Sequence, residues 1–142
     1  MSCGSPVRYS DSYPLSGVTF RIRHGNVSGV IPQGWTAASP RSRDDSTAAL
    51  TLSEGDSLRI AFRPVTLDSA AAAYFSKHGM VDLAALTRTL HDSSAQRERK
   101  GIDRFSSESR EFASYEVVTG GKRMRVVVFQ AGSYFYECEA WS

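Results

Sequence analysis

Phe-Ala-Ser-Tyr-Glu-Val-Val-Thr-Gly-Gly-Lys-Arg-Met-Arg-Val-Val-Val-Phe-Gln-Ala-Gly-Ser-Tyr-Phe-Tyr-Glu-Cys-Glu-Ala-Trp, residues 112–141, decides the fold. It holds three runs of strand-like composition, Phe112–Thr119, Arg123–Gln130 and Tyr134–Trp141, rich in β-branched and aromatic residues. Gly120-Gly121 separates the first two runs and Ala131-Gly132-Ser133 the last two. Connections this short join only antiparallel neighbours, so the segment predicts a three-stranded meander.

Upstream, Val18, Phe20 and Ile22 alternate with Thr19, Arg21 and Arg23, the period of a strand with one buried face. A turn at His24-Gly25-Asn26 leads to Val27, Val30 and Ile31 and closes a first hairpin at Pro32. Thr36–Ser46 lacks apolar periodicity and reads as an exposed loop. Ala48, Leu50 and Leu52 resume alternation, Glu54-Gly55-Asp56 supplies a turn, and Leu58, Ile60 and Phe62 complete a second hairpin. After Pro64 the period changes to a helical one. Thr66 or Asp68 caps a helix with body Ala70–Lys77, ended by Gly79. Asp82 caps a second helix, whose Leu83, Leu86 and Leu90 form one apolar stripe. Residues 93–104 are a polar connection. The expected architecture is α+β: an antiparallel β-sheet of two hairpins and the meander, with both helices covering one face.

A chain of 142 residues accommodates one core, placed at residues 17–142 behind a polar leader, 1–16. A content of 41% hydrophobic and 23% charged residues is globular rather than disordered. The net charge of +2 is spread among alternating acids and bases, which argues against nucleic acid as a partner. No run approaches the roughly 18 apolar residues of a membrane span. Cys3 and Cys138 are too few for a disulfide framework.

The order hairpin, hairpin, helices and meander, with Pro32-Gln33-Gly34-Trp35 closing an early strand, resembles the PsbP/DcrB superfamily over about Val18–Trp141. Support comes from Val30–Trp35, the helix after Pro64 and the strand, tight turn and aromatic strand of Phe129–Tyr136. The resemblance implies an antiparallel sheet with helices packed on it. It also implies a non-enzymatic role, since members include the extrinsic subunit of photosystem II, a Ran-binding import factor and bacterial envelope lipoproteins. Family members commonly run on into a helix after the last strand, whereas here Ser142 follows Trp141. Without that helix, one apolar face of the meander is expected to stay open to a partner.

Ser2-Cys3-Gly4-Ser5-Pro6 resembles a bacterial lipoprotein junction, with Cys3 as the lipidated residue and a Gly/Ser/Pro-rich tether behind it. The expectation is a domain at the bacterial cell envelope, joined to the membrane only through that lipid and binding another protein. The alternative location is the cytoplasm. Trp35, after the proline turn, and Trp141, on the last strand, are the residues expected to meet the partner. The competing class is a small-molecule-binding or hydrolytic enzyme with a cleft between helices and sheet and His78 or His91 as its base.

Chemistry-bearing motifs are sparse. No Cys-x-x-Cys and no histidine pair at ligand spacing occurs, so no metal is expected. Walker loop, dinucleotide fingerprint and Gly-x-Ser-x-Gly elbow are all missing, so no cofactor and no catalytic residue is assigned. Cys138 reads as a buried structural thiol. Glu137 and Glu139 share one strand face, as do Arg123 and Arg125 on the neighbouring strand, and cross-strand ion pairing is expected between them.

Overall fold

The structure, a computed structural model, describes residues 15–22, 27–38, 50–55, 58–92 and 99–141. The leader before Leu15, with Cys3, and the loop carrying Arg41, Arg43, Asp44 and Asp45 lie outside these residues. The described chain runs β1 (Leu15–Ile22), β2 (Val27–Pro32), β3 (Thr36–Ala38), β4 (Leu50–Glu54), β5 (Leu58–Val65), α1 (Ser69–His78), α2 (Met80–His91), β6 (Asp103–Ser107), β7 (Arg110–Thr119), β8 (Lys122–Ala131) and β9 (Tyr134–Trp141). It is an α+β fold with two antiparallel sheets, one of β1-β2 and one of seven strands in the order β3-β4-β5-β9-β8-β7-β6.

The expected meander is present as β7, β8 and β9. Gly120 and Gly121, with φ of 58° and 75°, make the two-residue turn between β7 and β8, and the left-handed region they occupy is open to glycine at no steric cost. A fourth strand, β6, extends the meander at its outer edge. Its turn is made by Glu108 and Ser109, both at positive φ, so no glycine marks it in the sequence. All five β6 residues are exposed, which removes the alternation by which strands are read.

Joining the second hairpin to the meander takes a long-range pairing, β5 against β9, with Arg59 opposite Trp141 and Val65 opposite Phe135. Pro64 lies within β5 beyond the last residue paired with β4, where β9 is its neighbour on one side alone, and there a missing donor is tolerated. Part of the expected loop after Trp35 is strand, since Thr36–Ala38 add β3 to the sheet edge.

Asp68 caps α1, its Oδ1 accepting from Ala71 N at 2.7 Å. Asp82 does not cap α2. The helix begins at Met80, whose N–H donates to Glu111 of β7, and Asp82 sits in its first turn. The buried residues of α2 are Met80, Leu83, Ala84, Ala85 and Thr87, with half-buried His91 continuing the line of Thr87 one turn on. Leu90, expected in the stripe, is 74% exposed.

The helices cover one face of the seven-stranded sheet, packing Phe75, Met80, Leu83 and Ala84 on Tyr115, Val126, Val128 and Phe135. The opposite face is not left open. The β1-β2 hairpin lies on it, burying Ile22 and Ile31 against Leu50, Leu52, Phe129 and Tyr136. It therefore forms a third layer rather than part of the main sheet. No described helix is long and apolar enough to cross a membrane.

Candidate functional site

Strand β9 alternates strictly, placing Phe135, Glu137, Glu139 and Trp141 on the helix side and Tyr136 and Cys138 on the hairpin side. Two carboxylates thus stand in the apolar face that α2 covers. Both are buried, Glu139 at 2% exposure, and a buried charge is tolerated only with partners. The partners arrive from two other elements. Arg63 of β5 donates from Nε to Glu139 Oε2 at 2.7 Å. His91, in the last turn of α2, brings Nε2 to 3.1 Å from Glu137 Oε2, 3.2 Å from its Oε1 and 3.5 Å from Glu139 Oε1.

One turn earlier on α2, Thr87 Oγ1 donates to Ala84 O and stands 2.7 Å from the Tyr115 hydroxyl. The helix stripe thus passes from apolar at Met80 to polar at Thr87 and His91, and the sheet beneath it changes in step, from aliphatic residues to Tyr115 and the two glutamates.

Electrostatics follow from this packing. The hydrogen bond to Glu137 chiefly raises the His91 pKa above its ordinary 6.5, opposed by burial and reinforced by the charges of Glu137 and Glu139. Burial chiefly raises the Glu139 carboxyl above 4.5, against the hydrogen bond and charge of Arg63. With His91 protonated, two cations face two carboxylates and the cluster is neutral. The Nε2 that the enzyme reading takes as its base is therefore engaged by the Glu137 carboxylate. His78, the other candidate, ends α1 exposed and stacked on Tyr74 with ring centroids 4.0 Å apart.

These two shifts have one sign. The folded state holds both protons more tightly than the unfolded chain, so the stability they contribute is complete below the unfolded values and is lost as pH rises through the folded ones. The Glu139 contribution starts to fall above about 4.5 and that of His91 above about 6.5. A melting temperature that declines as pH rises above about 6.5, with a flatter profile for His91→Gln, is the expected result. Equal slopes in the two proteins would mean that another group carries the dependence.

The ion pairing expected of Glu137 and Glu139 with Arg123 and Arg125 is incorrect. Arg125 stands opposite Ala140 and Glu116, which puts it on the hairpin side, and it reaches Glu116, Asp103 and Ser114 instead. A signal was present in the sequence: two acids between Phe135 and Trp141 on one strand face are acids on an apolar face. Cys138 is a free thiol packed with the hairpin-side core, and burial pushes it up to about 12, in keeping with an inert structural role.

Trp35 and Trp141 are both half-buried, on opposite faces of the sheet. Trp35 packs against the hairpin-side core and Trp141 against the helix-side core. On the hairpin side an aromatic row crosses four strands: Phe105 of β6, Phe112 of β7, Phe129 of β8 and Tyr136 of β9, with successive ring centroids 5.0, 5.7 and 5.7 Å apart. The hairpin covers its inner end, while Phe105 at the outer end is 44% exposed.

No protein-family model matches the sequence, and no curated protein matches it. In structure the chain is similar to cyanobacterial PsbP (CyanoP) from Synechocystis sp. PCC 6803, whose solution structure superposes with a TM-score of 0.59. The match covers 99% of this chain and 86% of that one at 10% identity. It shows a PsbP-like fold.

Proposed function

We propose that this chain is a non-enzymatic binding domain of PsbP-like fold, held at the bacterial cell envelope by a lipid on Cys3, that docks onto and stabilises another protein. The observation that supports docking is the aromatic row ending in exposed Phe105 on the edge strand β6. Among the described residues β6 pairs with β7 alone, so its outer backbone groups face away from the sheet, where a partner's extended segment adds as a further strand. Aromatic side chains at such a margin supply contact area at low entropic cost. Trp35 lies on the same sheet face, and Trp141, on the other, serves as the rim of the helix-side core or as a second contact.

The self-neutralised cluster of His91, Glu137, Glu139 and Arg63 supports the non-enzymatic part. The tether rests on the sequence around Cys3.

Two measurements test the reading in the native bacterium. The full natural gene product is expected to take up a labelled fatty acid and to lose both label and membrane fractionation with Cys3→Ala; an unlabelled, soluble product ends the envelope reading. A photo-crosslinking residue at position 105 or 35 is expected to yield one discrete adduct, and the same residue at position 90, on the helix side, none. Equal adducts from all three positions would discard the docking surface.

A further inference from the structure

We propose that His91 Nε2 and the carboxylates of Glu137 and Glu139 bind a divalent cation of the zinc type. The three donors lie within 4.8 Å of one another, and they come from rigid elements, two from an interior strand and one from the last turn of a helix. The separations of His91 Nε2 from the two carboxylates, 3.1 and 3.5 Å, bracket the edge of a tetrahedron around zinc, about 3.4 Å for bonds of about 2.0–2.2 Å. The third edge, between the two carboxylates, lies within 4.8 Å, so the glutamate oxygens close toward each other on binding. The donors are one imidazole nitrogen and two carboxylate oxygens, all of them atom types that zinc accepts at about 2.0–2.2 Å. His91 supplies the access, since its side chain is 22% exposed beside two buried acids.

Arg63 is the feature that argues against a cation, and its placement answers the objection. It binds the far oxygen of Glu139, Oε2, and leaves Oε1 turned to His91. In that position it orients the carboxylate from the outer shell as hydrogen-bonded partners of metal ligands do. The metal takes the Nε2 lone pair of His91, any proton there passing to solvent, and the two carboxylates then face the divalent ion and Arg63, so that the occupied cluster carries one net positive charge. Because the cluster is also satisfied with the proton in place, the fold does not depend on metal, and zinc acts as a ligand of the folded state. This inference is independent of the docking reading. No metal motif marks the site in the sequence, since His91 and Glu137 are 46 residues apart and on unlike elements.

The test is zinc titration of the untagged full chain by calorimetry in two buffers of different ionisation enthalpy. About one equivalent is expected to bind with micromolar affinity. His91→Gln and Glu139→Gln each abolish this binding, Arg63→Lys weakens it about 10–100-fold, and His78→Gln leaves it unchanged. Should the glutamate or arginine variants fail to fold, wild-type NMR decides alone: zinc must shift the His91 ring and spare His78. No binding below millimolar zinc, full binding by His91→Gln, or shifts confined to His78 would overturn the site.

Discussion

Replacing Arg63 with methionine is expected to lower the stability of the folded chain by about 3 kcal/mol, read as an earlier midpoint in urea with an unchanged slope. The substitution keeps the stem that packs on the sheet and removes the charge that holds Glu139. Glu139 is 3% exposed at its side chain and retains His91 at 3.5 Å, a poor substitute for a 2.7 Å charged hydrogen bond. A buried carboxylate that loses its partner costs far more than the pair contributes, because the desolvation of the remaining charge is no longer offset. Removing both partners therefore has the opposite outcome: Arg63→Met with Glu139→Leu is expected to regain most of the loss. A double variant as unstable as Arg63→Met would mean that Arg63 acts through packing rather than through charge.

Leu83→Ala is expected to cost about 2–5 kcal/mol, the range for deleting a buried leucine side chain and leaving part of its cavity. Leu83 has no exposed surface and sits where α2 meets the sheet, among Met80, Ala84, Tyr115 and Val126. Its neighbours are anchored on a sheet that cannot collapse inward, so the high half of the range is the expectation. Leu90→Ala, seven residues on in the same helix, is the matched comparison. With 74% of its surface exposed it is expected to change stability by less than about 0.5 kcal/mol. Equal losses in thermal unfolding of the two would contradict the orientation of α2.

Both predictions turn on how α2 faces the sheet, and there the sequence is informative only to a point. Spacing of Leu83, Leu86 and Leu90 marks a stripe, yet the buried line is drawn by Met80, Leu83, Ala84, Thr87 and His91. Alanine and threonine do not register as apolar in a periodicity count. They are buried here because the helix lies close to the sheet and Tyr115 offers Thr87 a hydroxyl. Similarly, the run Val126–Phe129 is apolar at consecutive positions, which in a strand means that both faces are covered. The second face was expected to stay open, and nothing local said that the β1-β2 hairpin would cover it.

What the sequence determined by itself is what local energy decides. Glycines at Gly120 and Gly121 set a turn, Asp68 set a helix start, and strict alternation on β9 put Glu137 and Glu139 on a common face. Each of these depends on backbone conformations and hydrogen bonds spanning a few residues, and each survives in any fold that keeps the segment. Tertiary structure alone decided which face of β9 the helices would cover, and so whether its acids would meet water or a helix. It brought Arg63 to Glu139 across 76 positions and His91 to Glu137 across 46. Those meetings are settled by competition among all the apolar surfaces of the chain for burial, a property of the whole that no single segment encodes.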